Sequence, residues 1–142
     1  MWVIVHTCSG LALGVLLGGW PLWILLPAAL VLHALLDLVP HWDYTAQRRR
    51  VLWAALDLAA SLMVVSAAIW LYHLPTAAWL AAIVSAAPDL DVLDALLPGT
   101  RRVRLFPSHF ARYPHGKAAM APGIAVQGVV AAISLLAVAL AV

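Results

Sequence analysis

The chain has 142 residues, of which 65% are hydrophobic and 10% are charged, and its formal net charge is +2. An ordinary soluble domain is about 45–50% apolar and about 25% charged, so this composition excludes a disordered chain, a nucleic-acid-binding domain and a typical water-soluble globule. The length suits one domain, residues 1–142. We therefore expect an all-α, polytopic integral membrane protein.

Five apolar stretches predict about five transmembrane helices, because a membrane-spanning helix needs roughly 17–25 apolar residues. In chain order they are residues 1–19, 22–39, 51–74, 76–97 and 118–142. Glycine and proline mark their ends, with a turn at residues 18–21 and stops at Pro40 and Pro98. A four-span alternative leaves the first stretch at the membrane surface, but its continuous apolar character favours a retained helix over a surface segment or a signal peptide.

The basic residues predict the orientation of these helices. All eight Lys and Arg residues lie in two predicted loops, 40–50 and 98–117. With five spans, both loops lie on the same side of the membrane as the N-terminus. The positive-inside rule assigns that side to the cytoplasm. We expect a multi-pass protein of the cell (inner or plasma) membrane with its N-terminus inside and its C-terminus outside.

Three glycines of the first span, Gly10, Gly14 and Gly18, repeat every four residues. This spacing removes side chains from one helix face and predicts close packing against a neighbouring helix.

Histidine and aspartate gather at one predicted depth. His33 and Asp37 are spaced i, i+4 and share one face of the second helix. At a rise of 1.5 Å per residue, the polar positions of four helices lie within roughly 5–12 Å of the cytoplasmic face. The others are His6 in the first span, His41 after the second, Asp57 in the third, and Asp89, Asp91 and Asp94 at the end of the fourth.

These carboxylates need a compensating charge, because an Asp near a helix centre costs about 2.5–3.5 kcal/mol on insertion and like charges raise each other's pKa. Imidazole together with carboxylate favours a divalent metal. We expect one or two ions, Zn or Mn, as the cofactor. The predicted ligands are His6, His33, Asp37, His41, Asp57, Asp89 and Asp91.

The motifs resemble those of a known family. A histidine near the N-terminus, Pro-Asp-x-Asp at residues 88–91 and the Ser108-His109 pair resemble the membrane-bound metal-dependent hydrolases of bacteria and archaea. The spacing of His33, Asp37 and His41 is also similar to that of the ligands in the zinc-dependent phospholipase C group. The resemblance implies a small polytopic protein with a hydrolytic metal site.

The leading functional prediction is a metal-dependent hydrolase at the cytoplasmic leaflet that acts on a phosphoester or lipid-linked substrate. A metal lowers the pKa of a bound water from 15.7 toward about 7, and Asp94 or His109 would relay protons as general acid or base. Basic loop side chains would attract an anionic headgroup or phosphate, namely Arg48, Arg49, Arg101, Arg102 and Arg104. The expected partners are membrane lipids, with an oligomer permitted and no nucleic acid.

Two other functions use the same polar residues. A cation or proton transporter would have the cluster as its ion site, although such sites favour the bilayer midplane and only Ser66 and His73 are polar candidates in the opposite half. A non-catalytic assembly subunit would satisfy the polar groups by hydrogen bonds between helices. That alternative does not explain why the residues are Asp and His.

Overall fold

The computed structural model describes residues 1–91 and 104–142, and this part of the chain is helical and contains no strand. The five α-helices are α1 (Val3–Leu16), α2 (Leu22–Leu38), α3 (Arg50–Tyr72), α4 (Thr76–Ala86) and α5 (Met120–Ala141). Short 3₁₀ turns cover Ala87–Asp89 and Pro107–His109. The all-α prediction is confirmed for the described residues.

Two of these helices, α3 with 23 residues and α5 with 22, are long and apolar enough to cross a membrane. The apolar helices α1 and α2 have 14 and 17 residues, and α4 has 11. At 1.5 Å per residue, α1 covers roughly 21 Å, which is less than the hydrocarbon core of about 30 Å. The five-span topology therefore stays a prediction.

Proline and glycine set the helix ends, as the sequence indicates. Helix α1 ends at Leu16, shortly before the turn at residues 18–21, and α3 is followed by His73 in the left-handed conformation with φ 48°. The predicted fourth span differs, because α4 gives way after Ala86 to a 3₁₀ turn that contains Pro88, which has no backbone N–H to continue the helical hydrogen bonds. Residues 92–97 of that predicted span lie outside the described part.

Helix α1 forms the centre of the bundle and packs against each of the other four helices. Ten of its 14 residues are buried. A Cβ on Gly10 would lie 2.7 Å from the carbonyl oxygen of Ala81, and one on Gly14 would overlap the backbone of Ala78. The predicted close packing is thus confirmed for these two glycines, against α4. A Cβ on Gly18 would meet only the backbone of its own helix.

Polar side chains of α5 fix the start of α1. The Gln127 amide nitrogen donates to the carbonyl of Trp42 at 3.1 Å, and its oxygen accepts from the backbone N–H of Trp2 at 2.9 Å. Further along, the hydroxyls of Ser134 and Ser9 are 3.0 Å apart. These interhelical hydrogen bonds hold α5, α1 and the loop before α3 in one arrangement.

The outer surface of the bundle carries many large apolar side chains. Trp23, Trp70 and Leu140 are each at least 75% exposed. Soluble monomers seldom expose extended apolar patches. The exterior, together with the two long apolar helices, fits association with a membrane.

Candidate metal centre

Three histidines and two aspartates converge at one end of the bundle, and we refer to them as the His/Asp cluster. They form two groups of three in which the candidate ligand atoms lie within 4.8 Å of one another. The first group is His6, His33 and Asp89, and the second is His33, Asp37 and His109. The structure therefore brings together four of the seven predicted ligands and adds His109, which the sequence analysis assigned to proton relay.

Asp37 lies at the middle of the cluster and is fully buried. Its Oδ1 atom is 3.3 Å from His6 Nε2, and its Oδ2 atom is 3.2 Å from His33 Nε2 and 3.8 Å from His109 Nε2. The His33 contact follows directly from the i, i+4 spacing on α2. The other two contacts depend on how α1 and the segment after residue 104 pack against α2.

A backbone carbonyl fixes the orientation of His33. Its Nδ1 atom is 2.8 Å from the carbonyl oxygen of Ser85 on α4. A carbonyl only accepts hydrogen bonds, so Nδ1 carries the proton and Nε2 keeps its lone pair. Metal-binding histidines characteristically donate their second ring N–H to such a partner. His33 is thus prepared to offer Nε2 to a ligand within the cluster.

Several buried polar atoms of the cluster have no hydrogen-bond partner among the described residues. They include both ring nitrogens of His6, Nε2 of His33, Oδ2 of Asp37, Oδ2 of Asp89 and Nδ1 of His109. Leaving one buried polar group unpaired costs about 1–3 kcal/mol. A cation bound among the atoms that face one another would satisfy them together, so the donor set fits a metal ion.

The described part of the second basic loop folds over the cluster. The backbone N–H of Gly116 donates to the Asp37 carbonyl at 2.8 Å, and that of Ala118 donates to the His41 carbonyl at 2.9 Å. A Cβ on Gly116 would overlap carbonyl oxygens at the end of α2, so only glycine permits this approach. This close approach of the loop to the end of α2 places His115 Nε2 at 3.5 Å from Asp37 Oδ2.

Asp91 holds the segment that carries His109. Its Oδ2 atom accepts hydrogen bonds from the backbone N–H groups of Leu105 and Phe106, at 2.8 and 2.9 Å, and lies 3.7 Å from His109 Nδ1. Arg104 donates to the Asp91 carbonyl at 3.1 Å. The structure therefore gives Asp91, a predicted ligand, the position of a support for His109.

The carboxylate of Asp57, another predicted ligand, is engaged by hydrogen bonds from outside the cluster. Its two carboxylate oxygens accept hydrogen bonds from the backbone N–H groups of Val3 and Ile4, at 2.8 and 2.9 Å, and Oδ2 also accepts from the Tyr44 hydroxyl at 3.0 Å. The first N–H groups of a helix have no partner within it. Asp57 therefore caps the start of α1 from the neighbouring helix and belongs to neither ligand group.

Replacing Asp57 by Asn tests the capping role. We expect the free energy of unfolding to fall by about 1–2 kcal/mol, because the single oxygen of the amide can replace only one of the two carboxylate acceptors. We expect the metal content of the folded fraction to be unchanged. Thermal unfolding and metal analysis of the purified variant measure the two effects. Asp43→Asn is the control, since Asp43 is exposed and, among the residues that the structure describes, bonds only to Thr45. Metal loss from a fully folded Asp57→Asn protein would contradict the assignment.

His41, another predicted ligand, lies beside the cluster and belongs to neither ligand group. Its Nδ1 atom is 2.7 Å from the Val39 carbonyl, and its ring centroid is 6.2 Å from that of His115. Burial lowers the pKa of His41 and of His115, and burial together with the neighbouring His33 lowers the pKa of His109 to about 4. These rings are therefore neutral at pH 7, the form in which histidine binds metals.

The remaining predicted residues lie elsewhere. Asp94, Arg101 and Arg102 are outside the described residues. Arg48 and Arg49 are exposed in the loop before α3, where they line a surface depression formed by residues 46–52.

Three contributors to the site were not assigned by the sequence analysis. The Met1 amino group lies 2.5 Å from Asp37 Oδ1, the Ser85 carbonyl orients His33, and His115 approaches Asp37. His115 lies in the second predicted loop and was given no role by its sequence position. A backbone carbonyl and an amino group carry no side-chain pattern by which a sequence could reveal them.

No protein-family model, curated protein or solved structure matches this chain. The resemblance to membrane-bound hydrolases accordingly stays a prediction from the motifs. The geometry of the cluster is therefore the evidence that bears on function.

Proposed function

We propose that this chain is a membrane-embedded, metal-dependent hydrolase that cleaves a phosphoester or lipid-linked substrate. The observation that supports it is the convergence of three imidazoles and two carboxylates whose facing atoms have no partner among the described residues. Mixed nitrogen and oxygen donors of this kind suit Zn, Mn or Fe. Asp37 and Asp89 supply the negative charge that balances a divalent cation.

One ion, rather than two, suits this cluster. Both ligand groups contain His33. Since its Nδ1 proton is directed at the Ser85 carbonyl, only Nε2 remains, and one lone pair binds one cation. We therefore assign both groups to a single ion, which is bound either by one group or by members of both.

The residues around the ion suit hydrolysis of a phosphoester. A divalent cation supplies an activated water at neutral pH and neutralises phosphate charge. In the reaction the water oxygen forms a bond to phosphorus, the bond from phosphorus to the alcohol oxygen breaks, and a proton from the water ends on the departing alcohol. His115 and His41 line the small polar pocket beside Asp89 and His109, so we assign proton transfer to His115 and a ligand role to His109.

The membrane setting is part of the proposal. It is supported by the two long apolar helices and the apolar exterior. The cluster lies at the bundle end that carries the loop with Arg48 to Arg50, and the positive-inside rule places such loops in the cytoplasm. A reporter fused to the C-terminus tests the orientation, and a cytoplasmic signal would contradict it.

The described interior favours hydrolysis over ion transport. Beyond the cluster, the bundle centre is an apolar core that includes Leu11, Ala68, Ala78 and Val138, and a transport path needs polar groups or water through the bundle. The unpaired atoms also argue against a purely structural role, because the polar groups of a structural network are hydrogen-bonded to one another.

Replacing His109 by Ala tests the proposal directly. We expect metal affinity to fall at least about 10–100-fold, and hydrolysis of p-nitrophenyl phosphate to fall with it and to recover partly in excess metal. The measurements are elemental analysis and turnover of protein purified in detergent without chelator. His73→Ala is the control, because His73 ends α3 away from the cluster. A metal-free wild type, or metal without any phosphoester turnover, would contradict the proposed function.

A further inference from the structure

A second cavity opens on the side of the bundle, and we call it the lateral groove. It lies between α1, α3 and α4 and has a cavity volume of about 230 Å³. Its walls include Leu58, Leu62 and Val65 of α3 together with Ile83 of α4. This volume lies a little below the range of about 300–1,000 Å³ typical of pockets for compact ligands, which suits a narrow ligand.

The wall of the lateral groove is apolar even where its residues carry hydroxyls. The Thr7 hydroxyl donates to the carbonyls of Val3 and Ile4 at 3.1 and 2.9 Å. The Ser61 hydroxyl donates to the Asp57 carbonyl at 2.8 Å. Both hydroxyls are thus committed to their own helices, and the groove offers a long, nearly uncharged surface.

One charged residue, Asp89, lines the described part of the lateral groove. Asp89 and Val3 also line the polar pocket that contains His109 and His115. Asp89 is only 6% exposed, and its Oδ2 atom lies 3.9 Å from His6 Nε2. The groove therefore ends at the His/Asp cluster, and a ligand that lies along it would present its polar end to the cluster.

We infer that the lateral groove binds the acyl chain of the substrate, so that the hydrolysed group is the phosphate of a phosphorylated lipid. This inference rests on the proposed function and names its substrate class. Leu62 and Ile83 are 61% and 56% exposed, so the groove is open along the bundle side, from which a lipid of the bilayer would enter.

The size of the groove favours an acyl chain over a helix from a second copy. A helix is about 10 Å across, so less than one turn of it would fill the whole volume. Such a short contact leaves most of an approaching helix outside the groove. A hydrocarbon chain is thin enough to lie within it along its length, with Asp89 and the cluster at the phosphate end.

Photolabelling in a bilayer tests the inference. The full chain is placed in phosphatidylcholine nanodiscs that contain phosphatidic acid with a diazirine in its acyl chain, and the labelled residues are mapped by mass spectrometry. We expect labels at Leu58, Leu62 and Ile83 that dioleoyl phosphatidic acid suppresses and that glycerol 3-phosphate does not. Labels spread over all exposed apolar faces without competition, or the absence of labels at these residues, would overturn the inference.

A pair of variants on adjacent residues sharpens the test. Leu62→Trp adds bulk to the groove wall, and we expect it to reduce the suppressible label and phosphatidic acid hydrolysis about tenfold while p-nitrophenyl phosphate hydrolysis is unchanged. Met63→Trp is the matched control, because Met63 is 69% exposed on α3 and does not line the groove. Equal effects of the two variants, or equal loss on both substrates, would also overturn the inference.

The two proposals fail in different ways. If the wild type holds metal and cleaves p-nitrophenyl phosphate while the groove labels do not respond to competition, the lateral groove inference fails alone. If the labels respond but the protein holds no metal, the proposed function fails, and with it the assignment of the bound lipid as a substrate.

Discussion

Replacing Asp37 by Asn is expected to weaken metal binding by about a hundredfold or more, a larger effect than loss of an orienting partner produces. The two side chains have nearly the same shape, so the change removes charge and leaves the volume. Asp37 has contacts within 4.0 Å to His6, His33, His109 and His115, and also to the Met1 amino group. An amide in that position cannot balance a cation, and its NH₂ group presents protons to ring nitrogens that need to bind the metal.

Elemental analysis measures the Asp37→Asn effect, and X-ray absorption at the metal edge reports whether the remaining ion keeps its histidine nitrogens. Asp43→Asn is the control for a charge change outside the two ligand groups, because Asp43 is exposed at the rim of the polar pocket and bonds to Thr45. His33→Gln provides an independent second variant in case Asp37→Asn does not fold. Near-stoichiometric metal with an unchanged absorption spectrum in both cluster variants would exclude this cluster as the metal site.

The sequence predicted those parts of the site that depend on one helix. His33 and Asp37 meet because they are one turn apart on α2, and this contact needs no knowledge of other helices. The ends of the first two apolar helices shortly before a glycine or proline similarly follow from local chemistry. The convergence of α1, α2 and the residues after α4 was also predictable, since short turns return the chain to the same end of the bundle.

The predicted ligands that lie outside the two ligand groups are engaged by packing between elements. Asp57 is a carboxylate at the predicted depth of the site, as a ligand would be. However, α1 begins beside it, and the backbone N–H groups of Val3 and Ile4 donate to its carboxylate. The Asp91 carboxylate similarly accepts hydrogen bonds from two backbone N–H groups of the loop. Spacing along a chain shows which side chains share a face and does not show which backbone groups arrive there from another segment.

His109 and His41 illustrate the same limit within a loop. His41 directly follows α2 and appeared the better ligand by spacing, whereas His109 lies far along the chain. The segment that bears His109 is held by Asp91, and the approach of Gly116 to the end of α2 holds the following residues. These long-range hydrogen bonds bring His109 into a ligand group and leave His41 at its margin.

Replacing Gly10 by Leu is expected to destabilise the bundle by about 3 kcal/mol or more, because the added side chain has no space in a packed interface. The Cβ alone would lie 2.7 Å from the Ala81 carbonyl oxygen and 2.8 Å from the Ser85 Cβ on α4. Backbone atoms cannot move aside as a flexible side chain would, so α1 must separate from α4. The loss is measured as a fall in the thermal unfolding temperature of the purified protein.

The same substitution is expected to impair the proposed metal site, although Gly10 belongs to neither ligand group. His6 lies one turn before Gly10 on α1, and Asp89 follows α4, so the separation of these helices widens the 3.9 Å gap between His6 Nε2 and Asp89 Oδ2. Gly128→Leu is the matched control, since Gly128 is a helical glycine on α5 whose Cβ would meet no atom within 4 Å, and leucine favours a helix more than glycine does. Gly128→Leu should keep both its stability and its metal. If Gly10→Leu unfolds at a lower temperature yet binds metal with unchanged affinity when folded, the site does not depend on the approach of α1 to α4, and His6 is not among its ligands.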